Sequence, residues 1–89
     1  MAEVWNDDMK WEILKETADR IIDEEAEREG ITGASLAARG STAIACRARN
    51  RAALRMREEL GMSLKQIGFY LNRDHSTIIH SIKQARKYA

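Results

Sequence analysis

The sequence predicts an all-α protein, a small helical bundle that contains a helix-turn-helix. Three observations lead there. The 89 residues include no proline and are rich in Ala, Leu, Glu, Lys and Arg, which cost a helix least. Apolar residues recur at three- and four-residue steps along most of the chain. Near the C-terminus two short helical patterns are separated only by "NR", and the second opens on the polar run "DHST".

Asp7 to Glu29 reads as one amphipathic helix. Trp11, Leu14, Ala18, Ile21, Ile22 and Ala26 form its apolar stripe, and acids fill the opposite face. Asn6 or Asp7 caps its start and Gly30 ends it. Trp5 and Met9 either extend the stripe or fray. Thr32 is the expected cap of a short helical turn through Ser35 and Leu36, and a loop around Arg39, Gly40, Ser41 and Thr42 follows. A third helix is expected from Ala43 to Leu60. Ala45, Ala48, Ala52, Met56 and Leu60 make its buried line, and Arg47, Arg51 and Arg55 a basic line at four-residue spacing. Gly61 stops it. Ser63 opens the next helix, and Gln66 completes a capping box. Leu64, Ile67 and Leu71 supply the apolar side of that helix, while Gly68 lets another helix come close. Asn72 and Arg73 form a tight turn. The last helix runs from about Asp74 to Lys87 and buries Ile78, Ile82 and Ala85.

Composition narrows the function. A single small domain cannot also house a nucleotide-driven motor. Cys46 stands alone, so no internal disulfide forms, and His75 and His80 lack a neighbouring cysteine with which to share zinc. No metal and no other cofactor is expected. No apolar run reaches membrane-spanning length, and the acidic start is unlike a targeting peptide, so the expected location is the cytoplasm. Charge is divided unevenly. Residues 1–30 carry eleven acids against four bases, a net of −7, and residues 31–89 carry three acids against eleven bases, a net of +8. Such a split points to a polyanionic partner. It is equally compatible with two sets of charges that only solvate helix faces.

The last helix concentrates the chemistry. Ser76, His80, Lys83 and Lys87 follow one another at steps of four, three and four, on one polar stripe away from Ile78, Ile82 and Ala85. Hydroxyls, a histidine and lysines on one stripe suit phosphates and base edges, and the backbone N–H groups at the leading end favour phosphate. Asp74 can accept from a cytosine amino group, while a histidine or hydroxyl can contact thymine or adenine. Asp74 also reads as a plain N-cap, and His80 as an ordinary surface residue. The Asp-His-Ser cluster is not a hydrolase triad, because adjacent residues on a helix point in different directions. No nucleophile elbow or phosphate loop accompanies it, and no enzyme activity is expected.

The stretch "SLKQIGFYLNRDHSTIIHSIKQ" resembles the signature of the DNA-binding domain (domain IV) of the bacterial replication initiator DnaA. That family shows a Ser-Leu-x-x-Ile-Gly run, a glycine-bearing turn, then Arg-Asp-His-(Ser/Thr)-Thr-Val and a later histidine. "EGITGASLAARG" and "ARNRAALRMREEL" are similar to the family's upstream segments, and the likeness covers roughly residues 18 to 87. It implies a bundle of the DnaA domain IV-like or Trp repressor-like kind, a monomer on double-stranded DNA with its recognition helix in the major groove. Asp74, His75 and Ser76 match base-contacting positions. Thr77, His80, Arg49 and Lys83 match positions near phosphates, with Arg73 and Lys87 added to that set. Arg39, in the basic loop, is the candidate for the minor groove. The turn departs from the family, with Leu71-Asn72 in place of a phenylalanine and two glycines, and the basic loop is poor in bases after Arg39.

Residues 1–17 therefore read as an extension and the start of the first helix, and 18–89 as the DNA-binding domain. The expected function is sequence-specific binding at initiator-box-like sites in the nucleoid, regulating replication initiation or transcription without an ATPase. Several phosphate contacts imply a log–log salt slope on the order of four to six. The alternative is an adaptor whose acidic N-terminal helix docks a protein partner while the basic half localises it to DNA. Exposure of Trp5, Met9 and Trp11 as one patch would favour the adaptor.

Overall fold

The computed structural model describes residues 7–40 and 42–88, and over these it is all-helical. Five helices follow in order: α1 (Asp7–Arg28), α2 (Ala34–Ala37), α3 (Ala43–Leu60), α4 (Leu64–Leu71) and α5 (His75–Lys87). Trp5, Asn6, Ser41 and the side chains of Asp7 and Met9 lie outside the described residues, so the cap expected at Asn6 or Asp7 and the extended stripe through Trp5 and Met9 do too.

Helix α1 ends where the glycine predicts. Gly30 takes φ 73°, its N–H donates to Glu27 O, and the Ile31 N–H reaches back to Ala26 O, both at 3.0 Å. This Schellman arrangement satisfies carbonyls that the helix itself leaves without donors. The turn into α2 differs from expectation. Its N-cap is Gly33, with no side-chain cap bond, and Thr32 instead shares a hydroxyl–hydroxyl bond with Ser35 at 3.0 Å. With Gly33 between them, Thr32 stands one residue too early to cap α2. A cap unforeseen in the loop appears at Thr42, whose Oγ1 accepts from the Ala45 N–H at 3.0 Å.

Helix α3 is the centre of the bundle and contacts every other helix. Its buried line is made largely of alanines, Ala45, Ala48, Ala52 and Ala53, with Met56 at the end. Small side chains let α1 and α5 lie close, and the larger core residues come from the partners: Ile21 of α1, Leu36 of α2, Ile67 and Leu71 of α4, and Ile78 of α5. Leu60 and Leu64 pack at the margin.

Charge follows the same geometry. The basic line of α3 faces the acids of α1. Glu25, 2 % exposed, accepts from Arg28 Nη1 at 3.1 Å, Arg51 Nε at 2.8 Å and Arg55 Nη1 at 3.1 Å. Glu29 accepts from Arg51 and Arg47, which together hold its carboxyl below the usual range. Arg55 also pairs with Glu59 and Glu24, and its guanidinium is held more strongly protonated than usual, Glu59 being the main cause. Part of the charge split between the two halves of the sequence is thus neutralised within the domain, by pairs that run from the buried Glu25 out to half-exposed rims at Arg47 and Glu24.

Candidate nucleic-acid interface

The helix-turn-helix is built from local capping. Ser63 Oγ accepts from the Gln66 N–H at 3.1 Å and Gln66 Oε1 accepts from the Ser63 N–H at 2.9 Å, so α4 starts with the predicted capping box. It ends at Asn72, whose φ of 55° is left-handed. Asparagine tolerates that region better than other non-glycine residues, which is how the turn manages without the family's glycines. The N–H groups of Asn72 and Arg73 both return to Gly68 O. Gly68 was expected to admit a helix. What comes closest is the Arg73 carbonyl of the turn, with Ile78 Cγ1 of α5 behind it at 3.6 Å, and a Cβ would strike that carbonyl.

Asp74 is the N-cap of α5. Its Oδ1 accepts from the Thr77 N–H at 2.8 Å, and this bond chiefly holds its carboxyl below the usual range. His75 and Ser76 follow, exposed on the first turn, with Thr77 half-buried beside them. His80, Lys83 and Lys87 continue an exposed polar row, while Ile78, Ser81, Ile82 and Ala85 are buried against the bundle. The polar stripe and apolar stripe read from the spacing are therefore both present.

Arg39 joins this surface from a distant part of the chain. It lines, with Gly40, Asn72, Arg73, Asp74 and Thr77, an open polar cleft of about 390 Å³. The loop after α2 and the leading end of α5 thus share one face.

Arg49 and Arg73, expected near phosphates, are engaged with the protein. Arg49 is 6 % exposed and donates from Nη1 to Leu36 O at 3.4 Å. Burial, and then the charge of Arg73, make its guanidinium easier to deprotonate than usual. Arg73 donates from Nη1 to Asn72 O at 2.9 Å and Leu71 O at 3.2 Å, and from Nη2 to Ala38 O at 2.8 Å. Asn72, which sequence reasoning placed only in the turn, also reaches across, from Nδ2 to Ala37 O at 3.2 Å. Spacing along one helix could not reveal the bonds to Ala37 O and Ala38 O, because those acceptors lie thirty-five residues away.

Trp11 is partly exposed, its ring centroid 6.0 Å from that of Tyr70, and Phe69 meets Tyr70 edge-on at 5.6 Å. Among the described residues no group of three His, Cys, Asp or Glu is placed to hold a metal, and no helix is long and apolar enough to cross a membrane.

Comparison with curated proteins gives no match, and comparison with solved structures gives none either. Among protein families, the bacterial dnaA protein helix-turn-helix matches over residues 18–85, which takes in the core-forming half of α1, the Arg39 loop and the whole helix-turn-helix. The chain belongs to that family, a family of DNA-binding helix-turn-helix domains.

Proposed function

We propose that the protein binds double-stranded DNA at initiator-box-like sites, and by occupying them regulates replication initiation or transcription. One observation carries this reading: Arg39 and the leading end of α5 lie on a single polar face. In this reading Asp74 at the N-cap, with His75 and Ser76 on the first turn of α5, meets base edges in the major groove. Thr77, His80, Lys83 and Lys87 continue along the helix towards the phosphates. Arg39, on its loop, is offered to the adjacent minor groove. Selection of bound sequences from random duplex DNA tests the reading. One asymmetric box should be enriched, and an unenriched pool would refute sequence-specific binding.

The adaptor reading is supported by a separate surface. Phe69 is 75 % exposed and lines an open groove together with the partly exposed Trp11. Phe69→Ser separates the two readings. The DNA reading expects unchanged box affinity and function, whereas the adaptor reading expects function in cells to be lost while box affinity is kept.

A further inference from the structure

Three consecutive carbonyls at the end of α2 receive side-chain donors from three different residues. Leu36 O accepts from Arg49, Ala37 O from Asn72 and Ala38 O from Arg73. The last carbonyls of a helix have no partners of their own, so each bond satisfies a group that would otherwise need water. Two of the donors come from the turn between α4 and α5, and the residue that follows Ala38 is Arg39.

The geometry of Arg73 suits a brace. Its Nη1 is fixed on the turn's own carbonyls, Leu71 O and Asn72 O, and its Nη2 spans to the loop. A planar guanidinium held at both ends transmits position, which a lysine's single ammonium cannot do. Asn72 adds a second strut from the adjacent residue, and its left-handed backbone points the amide at Ala37. Gly40, at φ 67°, would otherwise leave Arg39 on a loosely held loop that must be ordered each time DNA binds.

We propose that Asn72 and Arg73 are positioning residues that hold Arg39 in register with the leading end of α5, so that loop and recognition helix meet DNA as one rigid unit. The proposal rests on the DNA-binding reading above, and it gives Arg73 this role in place of a phosphate contact.

The test compares Arg39→Ala, Asn72→Gly, Arg73→Met, Arg73→Lys and the Arg39→Ala/Arg73→Met double variant, titrated against the selected box and a scrambled duplex. Asn72→Gly removes the amide yet keeps the left-handed backbone accessible, which guards against a misfolded turn. Arg39→Ala should lower box affinity about tenfold, far more than it lowers scrambled affinity. Asn72→Gly and Arg73→Met should lose selectivity in the same direction, Arg73→Lys should not restore it, and the double variant should be little worse than either single one. Backbone order parameters at Arg39 and Gly40 in the free protein should fall in Asn72→Gly and Arg73→Met, while those of α5 hold. A phosphate-contacting Arg73 would instead give equal losses on both duplexes and rescue by lysine, overturning the proposal. Full additivity with Arg39→Ala would also overturn it. If Arg39→Ala leaves selectivity untouched, the minor-groove assignment is what fails. In that case the order parameters decide the brace.

Discussion

His75 and Lys83 stand about two helical turns apart on α5, both exposed, and the proposed DNA reading gives them different work. In that reading a side chain on the first turn reaches base edges, whereas a long cation further along meets phosphate. His75→Ala should weaken the preferred box by roughly 1–3 kcal/mol and leave scrambled DNA little affected. Lys83→Ala should weaken both duplexes alike and reduce the salt slope by about one unit. Titration of folded variants at two salt concentrations checks both. Asp74 is a cap and, in the proposed reading, also a reader, and Asp74→Asn separates the two roles. The amide oxygen still caps, so thermal stability should be nearly kept while box preference changes. The sign of its pH effect follows from the depressed carboxyl. A group whose folded value lies below its unfolded value stabilises the fold above the unfolded value and loses that contribution as pH falls through the folded one. The cap is therefore intact at neutral pH and fails only in acid, below the ordinary carboxylate range. Melting followed across that range should show Asp74→Asn losing less stability in acid than the parent.

At the level of elements, caps and glycines set the boundaries, and most were legible for that reason. The capping box at Ser63, the stop at Gly61 and the apolar steps of α5 each follow from residues within four positions of one another. Ser63→Ala should cost about 1 kcal/mol of stability in a urea titration. The cap of α2 was misplaced because Thr32 and Gly33 are both acceptable at a helix start and nothing local chooses between them. Gly68 was recognised as a point of close approach, but the approaching group is backbone from a turn, which side-chain periodicity does not register. Gly68→Ala sets a methyl against the Arg73 carbonyl and should destabilise the domain by roughly 1–3 kcal/mol. The helix-turn-helix corner should loosen before α1 and α3 separate, visible as faster amide exchange in α4 than in α3.

For the molecule as a whole, the decisive arrangement is the pairing of α1 with α3. The polar row on α5 could be read from spacing, but the fate of the arginines could not, because their partners are set by the packing of helices distant in sequence. Arg47, Arg51 and Arg55 are committed to Glu24, Glu25, Glu29 and Glu59, and Arg49 and Arg73 to backbone carbonyls. The cations on the proposed DNA face are then chiefly Arg39, Lys83 and Lys87. The salt slope should be roughly three, below the four to six expected when Arg49 and Arg73 are included among the phosphate contacts. Glu25 lies at the middle of the ion-pair belt. Glu25→Ala should cost roughly 3 kcal/mol, the low end for breaking a buried pair, because Arg51 and Arg55 retain Glu29 and Glu59. Urea unfolding measures it.

The alanine seam has a thermal consequence. Ala18 and Ala26 of α1, Ala45, Ala48, Ala52 and Ala53 of α3, and Ala85 of α5 fill a large part of the buried apolar positions, and each withdraws little hydrocarbon from water. Exposure of apolar surface on unfolding raises the heat capacity, and exposure of polar surface lowers it. A bundle that joins its two longest helices by alanine contacts and buried ion pairs should therefore unfold with a heat-capacity increment below the usual figure of about 12–15 cal/mol/K per residue. Its stability curve is correspondingly shallow. The domain should lose little stability on cooling, and calorimetry across a range of pH values would show enthalpies of unfolding that rise only gently with melting temperature.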